Sequence, residues 1–353
     1  MRRKTSGLPL PRCRCKGRND MTEVENALRI IWFNSPERIV SRLPIYNIEF
    51  HNRRDEPYVH GQTNTPLGPG RSMRDIWGVV TTRKYDAVGA LHSEPSLTDP
   101  AQLAGFQWPD PDDDWICAKF HQQAADFPGG DLWISGGHSC AIWEIAYKMI
   151  GMERLLEYFY SEPEFVREVF HRIVDFHLGI ARQYVQLGVR SVGFSDDLAT
   201  QSGPFFSPDI LEEFFKPEYK RLFGFYREHD VIVGMHCDGN VDRLLDFFME
   251  VGLNILNPVQ VTANDLAAVR RKTQGRLCLH GGISNVTVSR GPVEAIEAEV
   301  HRHIWMLGQQ GGFFPNLDHS MPTPEAHRRA FVEAVEKWGR FPLVPPPECS
   351  SSS

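Results

Sequence analysis

No stretch of the 353-residue chain approaches the ~18 unbroken apolar residues a membrane helix needs, which argues against a membrane-spanning helix. Cysteine is scarce. Seven residues, odd in number and without a C-x-x-C pair, make no disulfide framework, and a reducing cytoplasm is the expected compartment. Walker, G-x-G-x-x-G, H-E-x-x-H and G-x-S-x-G patterns are missing as well, so phosphate cradling, zincin proteolysis and the serine-hydrolase elbow lack support. Positive charge is short overall: the net charge is −7, and the first twenty residues alone carry +6, which leaves −13 for the rest. A body that acidic repels phosphate backbones and speaks against nucleic-acid binding.

What is present is the make-up of a folded globular chain, with 41% hydrophobic and 11% aromatic side chains. Residues 1–20 read as a disordered basic arm, because Pro9 and Pro11 break any amphipathic targeting helix. Residues 342–353 read as a disordered tail. Between them, residues 21–341 read as one domain with a helical start and then one recurring unit: a short apolar run, a polar or glycine-containing turn, and a longer helical pattern. Apolar runs begin at Leu132, Val189, Val231, Asn254, Leu277 and Gly312. Helices are expected near 140–150, 163–187, 208–226 with a break at Pro217, 240–251 capped by Asn240, 263–272, 292–307 and from Pro324. Strands buried on both faces alternating with helices imply a parallel sheet, and the number of units favours a closed (β/α)8 TIM barrel with an N-terminal helical extension.

In such a barrel the reactive groups stand at the carboxyl ends of the strands. Here those ends read SDD, HCDG, HGGIS and NLDHS. His236 and Asp238, two apart, point the same way in extended geometry and can grip one ion, with Cys237 opposite; if the chain turns at Cys237, the thiol becomes the ligand instead. His319 could supply a third ligand, leaving an open fourth position as in catalytic zinc sites. The bland alternative, a core histidine followed by a helix-capping Asp238, stands about level with it. Asp196 and Asp197 are adjacent, so only one can face the cavity, as a general acid or a donor to a reacting atom; the other would hold a loop or cap a turn. His138, Gln201 and His280 are candidate substrate contacts, whereas Trp143 reads as packing and the run Asp110, Asp112, Asp113, Asp114 as a solvated loop.

Seven segments in this order resemble the uroporphyrinogen decarboxylase superfamily over most of residues 35–339: DIWG from Asp75, FQWPDPDDD from Phe106, GFSDDLATQSGPFFSPDILEEFFKPEYK from Gly193, GMHCDGNVDRLL from Gly234, VGLNILNPVQ from Val251, LHGGIS from Leu279 and GGFFPNLDHSMPTPEA from Gly311. That barrel also houses corrinoid-dependent methyltransferases, whose ligand strand ends in a pattern like H-x-C-G, with a second cysteine before the final turn. Asp238 and His319 stand where those two cysteines would be. The decarboxylase branch carries an RQAGRY-like motif, and the nearest basic group here, Arg53, Arg54 and Asp55, has a different context.

The resemblance therefore implies a methyltransferase-like enzyme. Zn²⁺ on His236, Asp238 and His319 would activate a small-molecule thiol, and a methylcorrinoid on a separate carrier protein would be the donor. A homodimer is compatible with it. A metal-free decarboxylase of a tetrapyrrole, as in porphyrin biosynthesis, is the alternative, and a ligand-binding barrel without chemistry is the third reading.

Overall fold

A computed structural model describes residues 21–53, 68–84, 91–319 and 321–347. The basic arm, Arg54, Asp55 and the last six residues of the tail lie outside the described residues. Seven parallel strands form one sheet in chain order: β1 (Ile45–Glu49), β2 (Trp133–Cys140), β3 (Ser191–Ser195), β4 (Ile232–His236), β5 (Ile255–Val259), β6 (Cys278–Ile283) and β7 (Phe313–Leu317). Among the described residues β1 and β7 are the sheet's two edges and no eighth strand joins them, so the architecture is an α/β half-barrel of seven strands.

The sheet nonetheless curls until its inner faces meet. Trp133, Ile232, Ile255, Cys278 and Phe314, from five different strands, pack into one small core with Ala27, Leu28, Ile30 and Ile31. Those four come from helix Glu23–Ile31, whose start is fixed by the Thr22 side chain accepting from the Glu25 N–H. The N-terminal helix thus plugs the bottom of the curl. A larger core lies outside the sheet, where helix Pro163–Gln186 buries Val166, Phe170, Ile173, His177, Ile180 and Tyr184, every third or fourth residue, against the strands.

Most expected elements fall within a few residues of their observed bounds, although helices Asp114–Ala125 and Met152–Ser161 have no counterpart among the expected ones. The break at Pro217 is a π-helical stretch, Leu211–Phe215, just before helix Lys216–Glu228. Asn240 caps no helix: helix Leu245–Val251 starts later, and the Asn240 amide donates to the Ala263 carbonyl (2.6 Å). An extra helix, Asn285–Arg290, follows β6, with Ser284 as its N-cap. In the expected tail, Val344 is held through its carbonyl, which accepts from His301 Nε2 (2.9 Å). Among the described residues no helix is long and apolar enough to cross a membrane.

Candidate functional site

Parity decides which rim residues face inward. β4 points Ile232, Gly234 and His236 into the curl, and the turn beyond it swings Asp238 to the same side. His236 Nε2 lies 3.6 Å from Asp238 Oδ2 and 4.0 Å from Asp197 Oδ1. All three offer a ligand atom within 4.8 Å of the others, and they form the one such group found among the described residues. His236 Nδ1 faces Asn257 Oδ1 (3.0 Å); the amide oxygen can only accept, so Nδ1 carries a proton and Nε2 is the ring nitrogen that faces the carboxylates. The Asp238 carboxylate beside His236 is the main reason the imidazole is pushed up to about 9, against the opposing effect of burial. Burial raises the Asp197 carboxyl above its ordinary value.

His319 reaches the site from beyond β7. Its Nε2 lies 3.4 Å from Asp238 Oδ2 and also accepts from Gln260 Nε2 (2.7 Å). Asp238 therefore stands between two imidazoles, and Asp197 rather than His319 completes the compact donor group. Gln260 organises this side: its amide nitrogen also approaches Asp238 Oδ1 (3.3 Å), and its oxygen accepts from Gln201 Nε2 (2.8 Å) and from the Gly239 N–H (2.8 Å). Gln201 is thus exposed at the mouth and anchored to the network.

Cys237 is not an alternative ligand. Its side chain is fully buried on the opposite face, its sulfur accepts from the Leu198 N–H (3.3 Å), and burial pushes the thiol well up.

Asp196 likewise turns away from the cavity. It is fully buried and accepts from the N–H groups of Ile142, Trp143 and Glu144 at 2.8–2.9 Å and from the Tyr219 hydroxyl at 2.5 Å. It caps helix Trp143–Ile150, whose own preceding residue, Ile142, offers no side-chain cap. The catalytic expectation for Asp196 gives way to a positioning role, because four donors saturate its oxygens.

His138 is also withdrawn from the inner cavity that His236 and His280 line. It is fully buried, stacks on Phe194 and has both ring nitrogens engaged, Nδ1 by His177 Nδ1 (3.0 Å) and Nε2 by the Tyr226 hydroxyl. Even-numbered residues of β2 face the helices: a Cβ on Gly136 would meet the Tyr184 ring at 2.4 Å. His280, by contrast, lines the inner cavity, and burial pushes it down to about 4, so it is neutral at physiological pH.

The far side of the mouth holds further polar residues; of these, sequence reasoning placed only Glu144 where it could line the cavity. Lys148 Nζ lies 3.1 Å from Glu144 Oε2 and 3.2 Å from Cys140 Sγ, and Glu144 Oε1 accepts from Ser195 Oγ (2.9 Å). Burial pushes the Cys140 thiol up to about 12. Burial also pushes Asp75, the acid of the DIWG segment, up to about 6, against the N–H groups of Trp77 and Val79 that bond it. The i,i+4 spacing of Cys140, Glu144 and Lys148 was the available signal.

Seven parallel strands curled around a plug, with two carboxylates and two imidazoles at their carboxyl ends, define an α/β half-barrel enzyme-type site. The sequence profile of the uroporphyrinogen decarboxylase (URO-D) family matches residues 119–338, more than half of the chain, and the chain belongs to that family. Among solved structures it is similar to a methyltransferase from Methanosarcina mazei, with a TM-score of 0.65 and 16% identity over 90% of this chain and 99% of that one. That likeness shows the fold. A B12-independent methionine synthase from Shewanella sp. W3-18-1 (TM-score 0.38, 11% identity, 57% of this chain and 60% of that one) is too distant to carry an argument. The same holds for a D-psicose 3-epimerase from Clostridium cellulolyticum H10 (TM-score 0.38, 10% identity, 67% and 85%). No curated protein matches significantly.

Proposed function

We propose that the protein is a metal-dependent transferase of this family that moves a methyl group from a methylcorrinoid, carried on a separate protein, to a small-molecule thiol. The observation that carries the reading is the meeting of Asp197, His236 and Asp238 within 4.8 Å at the mouth of the curl.

The donor set fits Zn²⁺. One imidazole nitrogen and two carboxylate oxygens are acceptable zinc ligands, and ligands ~2.1 Å from a tetrahedral ion stand about 3.4 Å apart. The observed 3.6 and 4.0 Å separations need little adjustment. When bound, the metal supplies a Lewis acid that makes a thiol a thiolate at neutral pH. The chain's own residues hold and orient it: Asn257 fixes the His236 tautomer, and Gln260 with His319 sets the direction of Asp238. The methyltransferase description of the Methanosarcina mazei protein agrees with this reading.

One observation favours a second reading, decarboxylation of a tetrapyrrole without metal. The cluster contains no thiolate, and Asp238 Oδ2 lies 3.6 Å from His236 Nε2 and 3.4 Å from His319 Nε2, close enough to pair with an imidazole when that ring is protonated. Asp197, about two-fifths exposed, would then stabilise a protonated pyrrole, and a histidine would deliver the proton. The two readings part in one assay: demethylation of methylcobalamin dependent on added thiol supports the first, whereas loss of carboxylates from uroporphyrinogen with no thiol-dependent demethylation replaces it with the second.

A further inference from the structure

Below the His236 cluster the curl is hollow. A cavity of about 230 Å³ runs between the inner faces of β1 to β6, floored by Ile232 and Ile255 above the N-terminal plug. It exists because glycine replaces the side chains that normally fill such an interior. Gly137, Gly193 and Gly234 sit side by side on β2, β3 and β4 and leave a bare wall. Gly193 is the central residue of a strand paired on both sides, yet it is exposed, and a Cβ built on it meets nothing within 4 Å among the described residues. Its φ lies outside the left-handed region, so backbone conformation does not require glycine there. The open space is what this glycine provides.

One polar group of the cavity lining has a ring nitrogen without a partner among the described residues. Asn316 Oδ1 accepts from the Leu317 N–H (2.8 Å), so its amide nitrogen faces His280 Nε2 (3.1 Å) and that ring nitrogen must accept. The proton of neutral His280 is then on Nδ1, which has no partner among the described residues, while the residue lines the cavity.

We propose that this cavity is a subsite for an unbranched aliphatic chain of the bound small molecule, inserted along the Gly137, Gly193 and Gly234 wall with one acceptor atom on His280 Nδ1–H. The volume suits it: a cavity of ~150 Å³ already admits benzene, and the present one is larger. The inference rests on the proposed function only for the identity of the reacting head group.

The test uses 1-alkanols, which need no metal or methyl donor. Binding from 1-propanol to 1-hexanol, followed by NMR shift titration, is expected to tighten about fourfold per methylene. In Gly193→Leu, whose side chain occupies the cavity, that increment is expected to vanish; in Gly193→Ala, a milder change in case the leucine variant does not fold, it is expected to shrink for the longest alkanols. Equal affinity for propanol and hexanol in the wild type, or an undiminished increment in a folded Gly193→Leu protein, overturns the subsite. Failure of thiol methylation with the increment intact removes the head-group reading alone.

Discussion

The backbone N–H of Asp238 donates to Asp197 Oδ1 at 2.8 Å, which ties the turn after β4 to the turn after β3 and brings two carboxylates to the same imidazole. The bond uses one lone pair of Asp197 and leaves its second oxygen for a ligand or a substrate. Asp197→Asn keeps an oxygen acceptor for the Asp238 N–H but loses the charge. Catalytic turnover is expected to fall about 10²-fold or more, with the melting temperature nearly unchanged. A steady-state rate beside a thermal melt checks this, and a variant that unfolds as much as it loses activity would count against a chemical role.

Asp196, its neighbour, is expected to behave in the opposite way. Asp196→Ala strands three backbone N–H groups at the start of helix Trp143–Ile150 and the Tyr219 hydroxyl. Each unsatisfied buried donor costs about 1–3 kcal/mol, so urea unfolding should show a loss of several kcal/mol or outright misfolding. Wild-type stability in Asp196→Ala would mean that the carboxylate does not hold the helix.

Gly239 adopts φ of +95°, and a Cβ there would lie 2.4 Å from the Thr200 carbonyl oxygen. Gly239→Ala should cost more than about 1 kcal/mol and displace Asp238, which immediately precedes it, so that stability and activity fall together. Unfolding titration and activity of the same preparation measure both.

The buried pair His138 and His177 sets an acid limit on stability. His177 Nε2 donates to the Ala141 carbonyl, so its Nδ1 accepts from His138 Nδ1–H, and His138 Nε2 accepts from Tyr226. Burial lowers both histidines, His177 to about 4. A folded value below the unfolded one of ~6.5 means that the contribution is complete above pH ~6.5 and is lost as pH falls toward 4, on the order of 3 kcal/mol for His177. Asp75 and Asp196, both pushed up to about 6 by burial, act in the other direction over much of that window, since their folded forms hold protons more tightly. The clean measurement is therefore a difference. Between pH 7 and 4.5 the wild type should lose more unfolding free energy than His177→Gln, and equal losses would refute the assignment.

Much of this arrangement follows from parity and periodicity. The alternation of apolar runs with helical patterns places six of the seven strands, and the two-residue spacing of His236 and Asp238 with Cys237 opposite is what the structure contains. Parity also explains the misplacement of His138: on β2 it shares a face with Gly136, which packs against Tyr184. Other features depend on distances between strands rather than along them. Gln260 joins the site because β5 and β6 shift register between Leu256 and Val259 and the sheet curls, neither of which has a local signature. That Asp197, not His319, completes the compact donor group is decided by the bond from the Asp238 N–H, which no spacing rule anticipates. That the sheet has seven strands among the described residues had no local signature either: a count of apolar runs does not reveal where the sheet's edges lie.

The central claim, that Asp197, His236 and Asp238 form a metal site, is tested most directly by elemental analysis of protein purified without chelators. About one zinc per chain is expected, falling to background in His236→Ala and in Asp238→Ala while circular dichroism stays native. A native wild-type protein that contains no metal and takes up none on dialysis against zinc would contradict the account.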